Sequence, residues 1–359
     1  MHVFQELLLP SEFREAEKLL ELSDLDMPEG ITFGLGAYED GVLAGAGFLA
    51  GNVVCGICVS SESQGAGLAA AIVSRLVQHA LQGGQTRLSL FTKPAEAAKF
   101  GEIGFTVLAS TPSAAFLEWG RPDYAAWLRE AKEALQAEVL QAASADGPFD
   151  FPLGAIVMNA NPFTLGHRYL ALQALARCRR VVVFVVEEDA STFPFSVRYA
   201  LVREGLADQE RILVRPGGAY MVSRASFPSY FSGKAAHSRV HAELDCTLFA
   251  ARIAPDLGIA ARFVGEEPYC EVTAGYNAVM RDTLPRYGVE CIEIPRLARE
   301  GEPISASAVR ALLGASESEQ KGVEQKKMEQ LVPASTAAFL ELPEAEPIVE
   351  ELRRHTGRH

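Results

Sequence analysis

LGAIVMNANPFTLGHRYLALQALARC (residues 153–178) decides the fold of the longer half of this chain. LGAIVM is apolar throughout and reads as a strand. Asn159, Asn161 and Pro162 then supply turn residues, and the Thr164 hydroxyl is suited to cap a helix. GHRYLALQALARC carries apolar residues at helical spacing, with Tyr169, Leu172, Leu175 and Ala176 expected on the sheet-facing side. RRVVVFVV follows, an apolar run suited to a strand buried on both faces. Strand, helix and strand in this order make a parallel crossover unit.

The same rhythm continues. SVRYALVREGLAD reads as a helix, RILVR as a strand, residues 237–251 as a helix, and ARFVG and GVECIEI as strands. The alternation predicts a doubly wound, Rossmann-like parallel sheet. The segment after Gly314 reads as helical and charged. Residues 1–120 have a different pattern. ITFGLGAYEDGVLAGAGFLA gives two strands joined at Asp40-Gly41. VVCGICV, TRLSLFT, residues 106–109 and residues 114–119 give further strands, with helices after the Gly-rich SSESQGAG and at AEAAKFGEIGF. This is a mixed α/β unit. PDYAAWLREAKEALQAEVLQAA reads as a charged helix and SADGPFD as a break. The expected organisation is therefore a mixed α/β domain at 1–120, a helical linker at 121–150, a parallel α/β domain at 151–342 and a tail at 343–359.

Composition narrows function. The chain has 359 residues, 48% hydrophobic, with 33 basic and 46 acidic residues and a net charge of -13. That balance argues against non-specific binding to nucleic acid or anionic membranes. No apolar run reaches the roughly 18 residues of a membrane span, and the first residues lack the pattern of a secretory leader. The expectation is a cytoplasmic chain with reduced thiols. Cys55 and Cys58 form a CxxC in a β-like run and read as packed strand thiols. His237 and His241 share a helix face near Glu243 and Asp245, but no third spaced ligand accompanies them, so no protein metal site is expected.

Two loops carry the chemistry. In the first, Gln64, Gly65, Gly67 and Ala69 (Q-x-x-G-x-A) lie between a strand and a helix, where free N–H groups favour anionic oxygens. In the second, His167 projects from the first turn of a helix at the carboxyl end of a strand, where ligands of such sheets bind. Gly166 beside it lacks a side chain, which would let a ligand lie against the backbone. Near the far end of the domain, Ile304-Ser305-Ala306-Ser307-Ala308-Val309-Arg310 places two hydroxyls before a helix and an arginine one turn inside it, a donor set suited to phosphates.

T-x-G-H at Thr164–His167 resembles the T/H-x-G-H signature of the nucleotidyltransferase superfamily, and ISASAVR resembles its I-S-x-S/T-x-x-R signature. The loop at 64–69, with its downstream strand and helix, resembles the GNAT acetyltransferase fold, whose loop holds the pyrophosphate of acyl-CoA. Glu62 and Tyr38 are available as acid or base there; each also reads as an ordinary surface or sheet residue. NANPFTLGHRYL, VVEEDASTFPFSVRYALV, YMVSRASFPSYF, HAELD, RFVGEEPYCEVTAGYN and PISASAVR together resemble the citrate lyase ligases, over nearly the whole chain.

That resemblance implies an enzyme that uses ATP, with Mg²⁺, to activate acetate as acetyl-AMP. It would then acetylate the phosphoribosyl-dephospho-CoA thiol on the acyl carrier subunit of citrate lyase. His167 and Arg310 would act on the phosphates. Asn159, Asn161, Phe163, Thr164, Gly166, Gly265, Glu266, Ile304, Ser305 and Ser307 would complete the ATP site. Arg198 and Arg224 are candidate phosphate or substrate contacts, the more so because VVEEDASTFPF lacks the lysine that many adenylyltransferases carry there. Gln64, Gly65, Gly67 and Ala69 would bind CoA if the first domain does. Three alternatives stay open: the same chemistry on another carrier, such as that of malonate decarboxylase; transfer of AMP to a phosphate acceptor such as a pantetheine or nicotinamide nucleotide; and an acetyl-CoA-dependent N-acetyltransferase with a nucleotide-sensing second domain.

Overall fold

A computed structural model describes residues 2–65, 67–141, 148–187, 191–221, 234–267, 271–299, 301–315 and 326–356. By contacts the chain divides into two units, each made of two chain segments: Met1–Leu128 with Arg224–Arg252, and Arg129–Ser223 with Ile253–His359.

The first unit contains β1 (Val3–Glu6), α1 (Pro10–Glu21), β2 (Phe33–Glu39), β3 (Val42–Ala50), β4 (Val53–Val59), α2 (Leu68–Gln82), β5 (Arg87–Thr92), α3 (Ala97–Gly101), β6 (Thr106–Ser110) and β7 (Ala115–Gly120). The strands form one sheet in the order β1-β2-β3-β4-β5-β7-β6. Neighbours are antiparallel except β4 and β5, which run parallel and pair at Val53–Ser89 and Val54–Leu90. The expected turn between β2 and β3 forms, with Asp40 and Gly41 both at positive φ (50° and 84°), the conformation a two-residue hairpin needs. Leu68, Ile72, Val73 and Leu76 of α2 pack on Leu35, Val54, Leu88 and Leu90. Ala16, Leu19 and Leu20 of α1 form a separate cluster with Phe48, Cys55 and Cys58. Cys55 and Cys58 are packed strand thiols, as expected. Their S–H groups donate to the carbonyls of Phe48 and Ala46, and burial pushes both thiols up to about 12.

α4 (Tyr124–Gln141) forms where the charged helix is expected and crosses the boundary between the units at Leu128. The second unit continues with β8 (Phe151–Met158), α5 (Leu165–Arg177), β9 (Cys178–Val185), α6 (Phe195–Gly205) and β10 (Ile212–Pro216). The crossover from β10 passes through α7 (Lys234–Leu248), which groups with the first unit, and a π-helical turn at Phe249–Ile253. It then returns by α8 (Ala254–Leu257) to β11 (Ala261–Gly265), α9 (Glu271–Thr283) and β12 (Glu290–Ile294). A short hairpin of β13 (Ala298–Arg299) and β14 (Glu302–Pro303) leads into α10 (Ala306–Ala315), α11 (Ala334–Leu340) and α12 (Glu346–Thr356).

The second sheet is parallel throughout, in the order β10-β9-β8-β11-β12. This is the doubly wound arrangement expected, with its switch point between β8 and β11, where crossovers leave in opposite directions. Val181, Val182, Val183, Phe184 and Val185 of β9 are all buried, which explains the unbroken apolar run. Of the face expected for α5, Leu175 is buried and Tyr169 packs against the core, but Ala176 is exposed, and Ala171 and Ala174 are buried in addition. Small residues on the buried face let the helix axis approach the sheet closely. Towards the end of the chain, Ile348 of α12 packs with Val309 and Leu313 of α10. Among the described residues no helix is long and apolar enough to cross a membrane.

Candidate functional site

At the switch point, β8 ends and residues 159–164 turn into α5. Thr164 is the N-cap, with extended backbone, and its Oγ1 accepts from the His167 N–H at 3.3 Å. His167 answers reciprocally, its Nδ1 accepting from the Thr164 N–H at 3.1 Å. Histidine thus takes the place that Glu or Gln holds in an ordinary capping box. The Thr164 hydroxyl lies 2.9 Å from the same Nδ1. A nitrogen that accepts cannot carry the proton, so the neutral ring bears its hydrogen on Nε2. Burial pushes the imidazole down to about 4, with the charge of Arg296 as a second cause. At neutral pH His167 is an uncharged N–H donor. Its ring also stacks on Phe163, with centroids 5.8 Å apart.

The ISASAVR segment meets this turn directly. Ile304 O lies where a Gly166 side chain would be: an ideal Cβ there would stand 2.7 Å from it. The expected reason for Gly166, room for a ligand, is therefore replaced by another, room for the Ile304 backbone. Ser305 Oγ accepts from the Ala308 N–H at 3.1 Å and caps α10. Arg310, half-buried, donates through Nη1 to the carbonyl of Asn161 and lies 3.4 Å from Ser307 Oγ through Nη2. Burial lowers its basicity. The two signatures expected to act together are joined by backbone contact and by one arginine.

The rest of the loop is braced from below. Thr336 Oγ1 donates to Phe163 O at 3.0 Å, and the Leu165 N–H to Leu331 O at 2.9 Å. Asn159 exchanges side-chain hydrogen bonds with Ser191, and Asn161 Oδ1 accepts from the Phe193 N–H. Arg198, expected as a phosphate or substrate contact, is placed otherwise. It is wholly buried. Its Nε donates to Phe193 O, and its Nη1 to Asn159 O at 2.7 Å and Val186 O at 2.8 Å. It ties the loops after β8 and β9 to the start of α6. Arg224 lies outside the described residues.

Gly265 ends β11 with open space over its α-carbon, and its carbonyl accepts from Asn277 Nδ2 at 3.0 Å. Glu266 is exposed; its N–H bonds Ile294 O, and its carbonyl accepts from Arg296 Nε at 2.7 Å. Arg296 also pairs with Glu267 through Nη2. Arg296 belongs to none of the sequence motifs; its signal in the chain is a basic residue two positions past the strand next to β11, at the carboxyl end of the sheet.

In the first unit, Gly65 and Gly67 adopt positive φ (85° and 73°) just before α2, with nothing near either α-carbon. Gln64 and Ala69 flank them, and Ala66 is outside the described residues. Glu62 is exposed, and Tyr38 is part-buried on β2 with its hydroxyl pushed up by burial. His241 and Asp245 of α7 are buried, and the side chain of His237 is outside the described set. Of YMVSRASFPSYF, Tyr220 and Met221 are described and buried, while residues 222–231 are not described.

Comparison with known proteins adds a separate line. Residues 153–340 match the family described as citrate lyase ligase C-terminal domain, and residues 12–119 match the acetyltransferase (GNAT) domain. Three relatives carry the name citrate (pro-3S)-lyase ligase. The protein of Klebsiella pneumoniae is 38% identical over 310 residues, 85% of this chain and 85% of its own. That of Escherichia coli (strain K12) is 36% identical, covering 91% of this chain and 90% of its own. That of Haemophilus influenzae is 34% identical, covering 90% and 94%.

Proposed function

The chain belongs to the citrate lyase ligase family, and from that membership we propose that it activates citrate lyase by acetylation. In this reading acetate is first converted to acetyl-AMP at the expense of ATP. The acetyl group then passes to the phosphoribosyl-dephospho-CoA thiol of the acyl carrier subunit. Residues 1–120 form the GNAT-like part, 121–150 a helical linker, 151–342 the adenylylating part and 343–359 a tail, all in the cytoplasm.

The observation that carries the reading is the joining of the turn that bears His167 to the segment that bears Arg310, through Gly166 against Ile304 and Arg310 on Asn161 O, at the switch point. An acetate oxygen attacks the α-phosphorus, the bond to the bridging oxygen breaks, and pyrophosphate leaves. Negative charge grows on the bridging and leaving oxygens, so fixed donors in a partly desolvated site lower the barrier. His167 Nε2–H is such a donor: the neutral ring gives a hydrogen bond to the developing charge and keeps its proton. The N-terminal end of α5 adds the favourable end of the helix dipole. Arg310, with Ser305 and Ser307 at the head of α10, would hold the departing pyrophosphate. Asn159, Asn161, Phe163, Thr164, Gly166 and Ile304 shape the turn that carries these donors, and Gly265 with Glu266 leaves open backbone beside it. Mg²⁺ would ride mainly on the ATP phosphates and water, neutralising their charge. In the second step the carrier thiolate attacks the acetyl carbonyl and AMP leaves.

The test is exchange of labelled pyrophosphate into ATP. Exchange that requires acetate supports the reading, and no exchange with any short carboxylate overturns it. Offering purified carriers of citrate lyase and of malonate decarboxylase identifies the acceptor. Acetyl-CoA consumption with a free amine and no ATP would instead favour the N-acetyltransferase alternative.

A further inference from the structure

Arg296 stands where three parts of the second unit converge. It lies two residues past the end of β12. Its Nε bonds the carbonyl of Glu266, one residue past the end of β11. Its neighbour Leu297 accepts the Ile304 N–H at 2.9 Å, and Ile304 O in turn lies against Gly166 in the first turn of α5. The guanidinium thus joins β12 to the end of β11, and the next residue links through Ile304 to the first turn of α5, all at the carboxyl end of the sheet, where ligands of doubly wound folds bind.

The side chain is held and still accessible. Its described hydrogen bonds use Nε and Nη2, towards Glu266 and Glu267, and its relative exposure is 28%. A guanidinium fixed along one edge presents the other in a set orientation, which lowers the entropy lost on binding an anion. The guanidinium also lies near enough to His167 for its charge to help hold that imidazole's basicity down.

We propose that Arg296 is a substrate-contacting residue of this site, presenting the guanidinium edge left open by Glu266 and Glu267 to the phosphates of the nucleoside triphosphate. The inference rests on the ATP-dependent reading above and adds a second arginine to Arg310.

The experiment is direct binding of ATP to the full chain by calorimetry, in the wild type, Arg296→Gln, Arg296→Lys and Glu267→Gln, with histidine-selective NMR titration of His167 alongside. A substrate contact predicts that Arg296→Gln weakens ATP binding at least about tenfold, the scale of a lost charge-assisted hydrogen bond. Arg296→Lys should fall between, and Glu267→Gln, which removes the same ion pair, should stay within about threefold. The His167 titration should move up in Arg296→Gln. A strut predicts equal effects of Arg296→Gln and Glu267→Gln; that result, or unchanged ATP affinity in Arg296→Gln, overturns the proposal. A wild type that binds ATP but shows no acetate-dependent exchange overturns the ligase reading and leaves the Arg296 comparison readable. A wild type that binds no ATP overturns both.

Discussion

Gly166 and Ile304 are in such close backbone approach that a methyl group on the first would stand 2.7 Å from the carbonyl oxygen of the second. The contact fixes the first turn of α5 against the segment entering α10, and so sets His167 relative to Arg310. Gly166→Ala must push the two apart, because the obstructing atom is backbone. Overpacking of this kind costs about 1–3 kcal/mol. The expected outcome is a lower melting temperature together with weaker ATP binding, read by calorimetry. Full affinity in Gly166→Ala would mean that the two segments act independently.

Arg198 predicts a different failure. Three carbonyls, those of Asn159, Val186 and Phe193, take hydrogen bonds from its buried guanidinium. A buried carbonyl left without a partner costs about 1–3 kcal/mol. Arg198→Met should therefore melt well below the wild type. Arg198→Lys should recover part of the loss, since an ammonium cannot reproduce the spread of the fork. Residual folded Arg198→Lys should show a raised KM for ATP, because the loop bearing Asn159 is no longer braced. A normal melting curve for Arg198→Met would refute this role.

These two residues also mark the limit of what the sequence tells. The order of strands and helices is legible because buried parallel strands write apolar runs such as Val181–Val185 into the chain, and because threonine is a preferred cap where a turn enters a helix, as Thr164 does. T-x-G-H and ISASAVR could be picked out by their residue types. Their mutual contact could not, since a glycine cannot announce which backbone will lie against it. Arg198, in a helix that reads as amphipathic, is buried to serve loop carbonyls that periodicity ignores. The helical pattern of α7 is visible too, but not that it groups with the first unit. Arg296 was missed because its meaning comes from strand order, with β12 beside β11, and not from local pattern.

Ser305 caps α10 through the Ala308 N–H. Ser305→Ala should cost about 1 kcal/mol and loosen the start of the helix that carries Arg310. The expected result is a small drop in melting temperature and a larger drop in the exchange rate. Ser305→Asp, which restores a cap, should regain stability without regaining exchange, because a carboxylate there repels phosphate. Recovery of both would reduce Ser305 to a cap alone.

His167 links stability, pH and catalysis in one side chain. Its Nδ1 completes the cap on Thr164 N–H while its Nε2–H is the donor for chemistry. Glutamine is the ordinary residue at this capping position. His167→Gln should therefore keep the fold near wild-type stability while exchange falls by about 10²–10³, the scale of a lost oxyanion donor. His167→Ala should lose both. The pH dependence follows from the imidazole being held down to about 4 by burial and then by Arg296, against an unfolded value of about 6.5. Between these values the unfolded chain binds a proton that the folded chain refuses, so stability rises with pH across that window. The contribution of His167 is complete above about 6.5 and is lost as pH falls through about 4. Melting curves over this range should be steeper in pH for the wild type than for His167→Gln. Exchange should likewise show no acid limb from His167 near 6.5. A limb near 6.5 that disappears in His167→Gln would mean that the ring is protonated in solution and that the Thr164 cap does not hold it neutral.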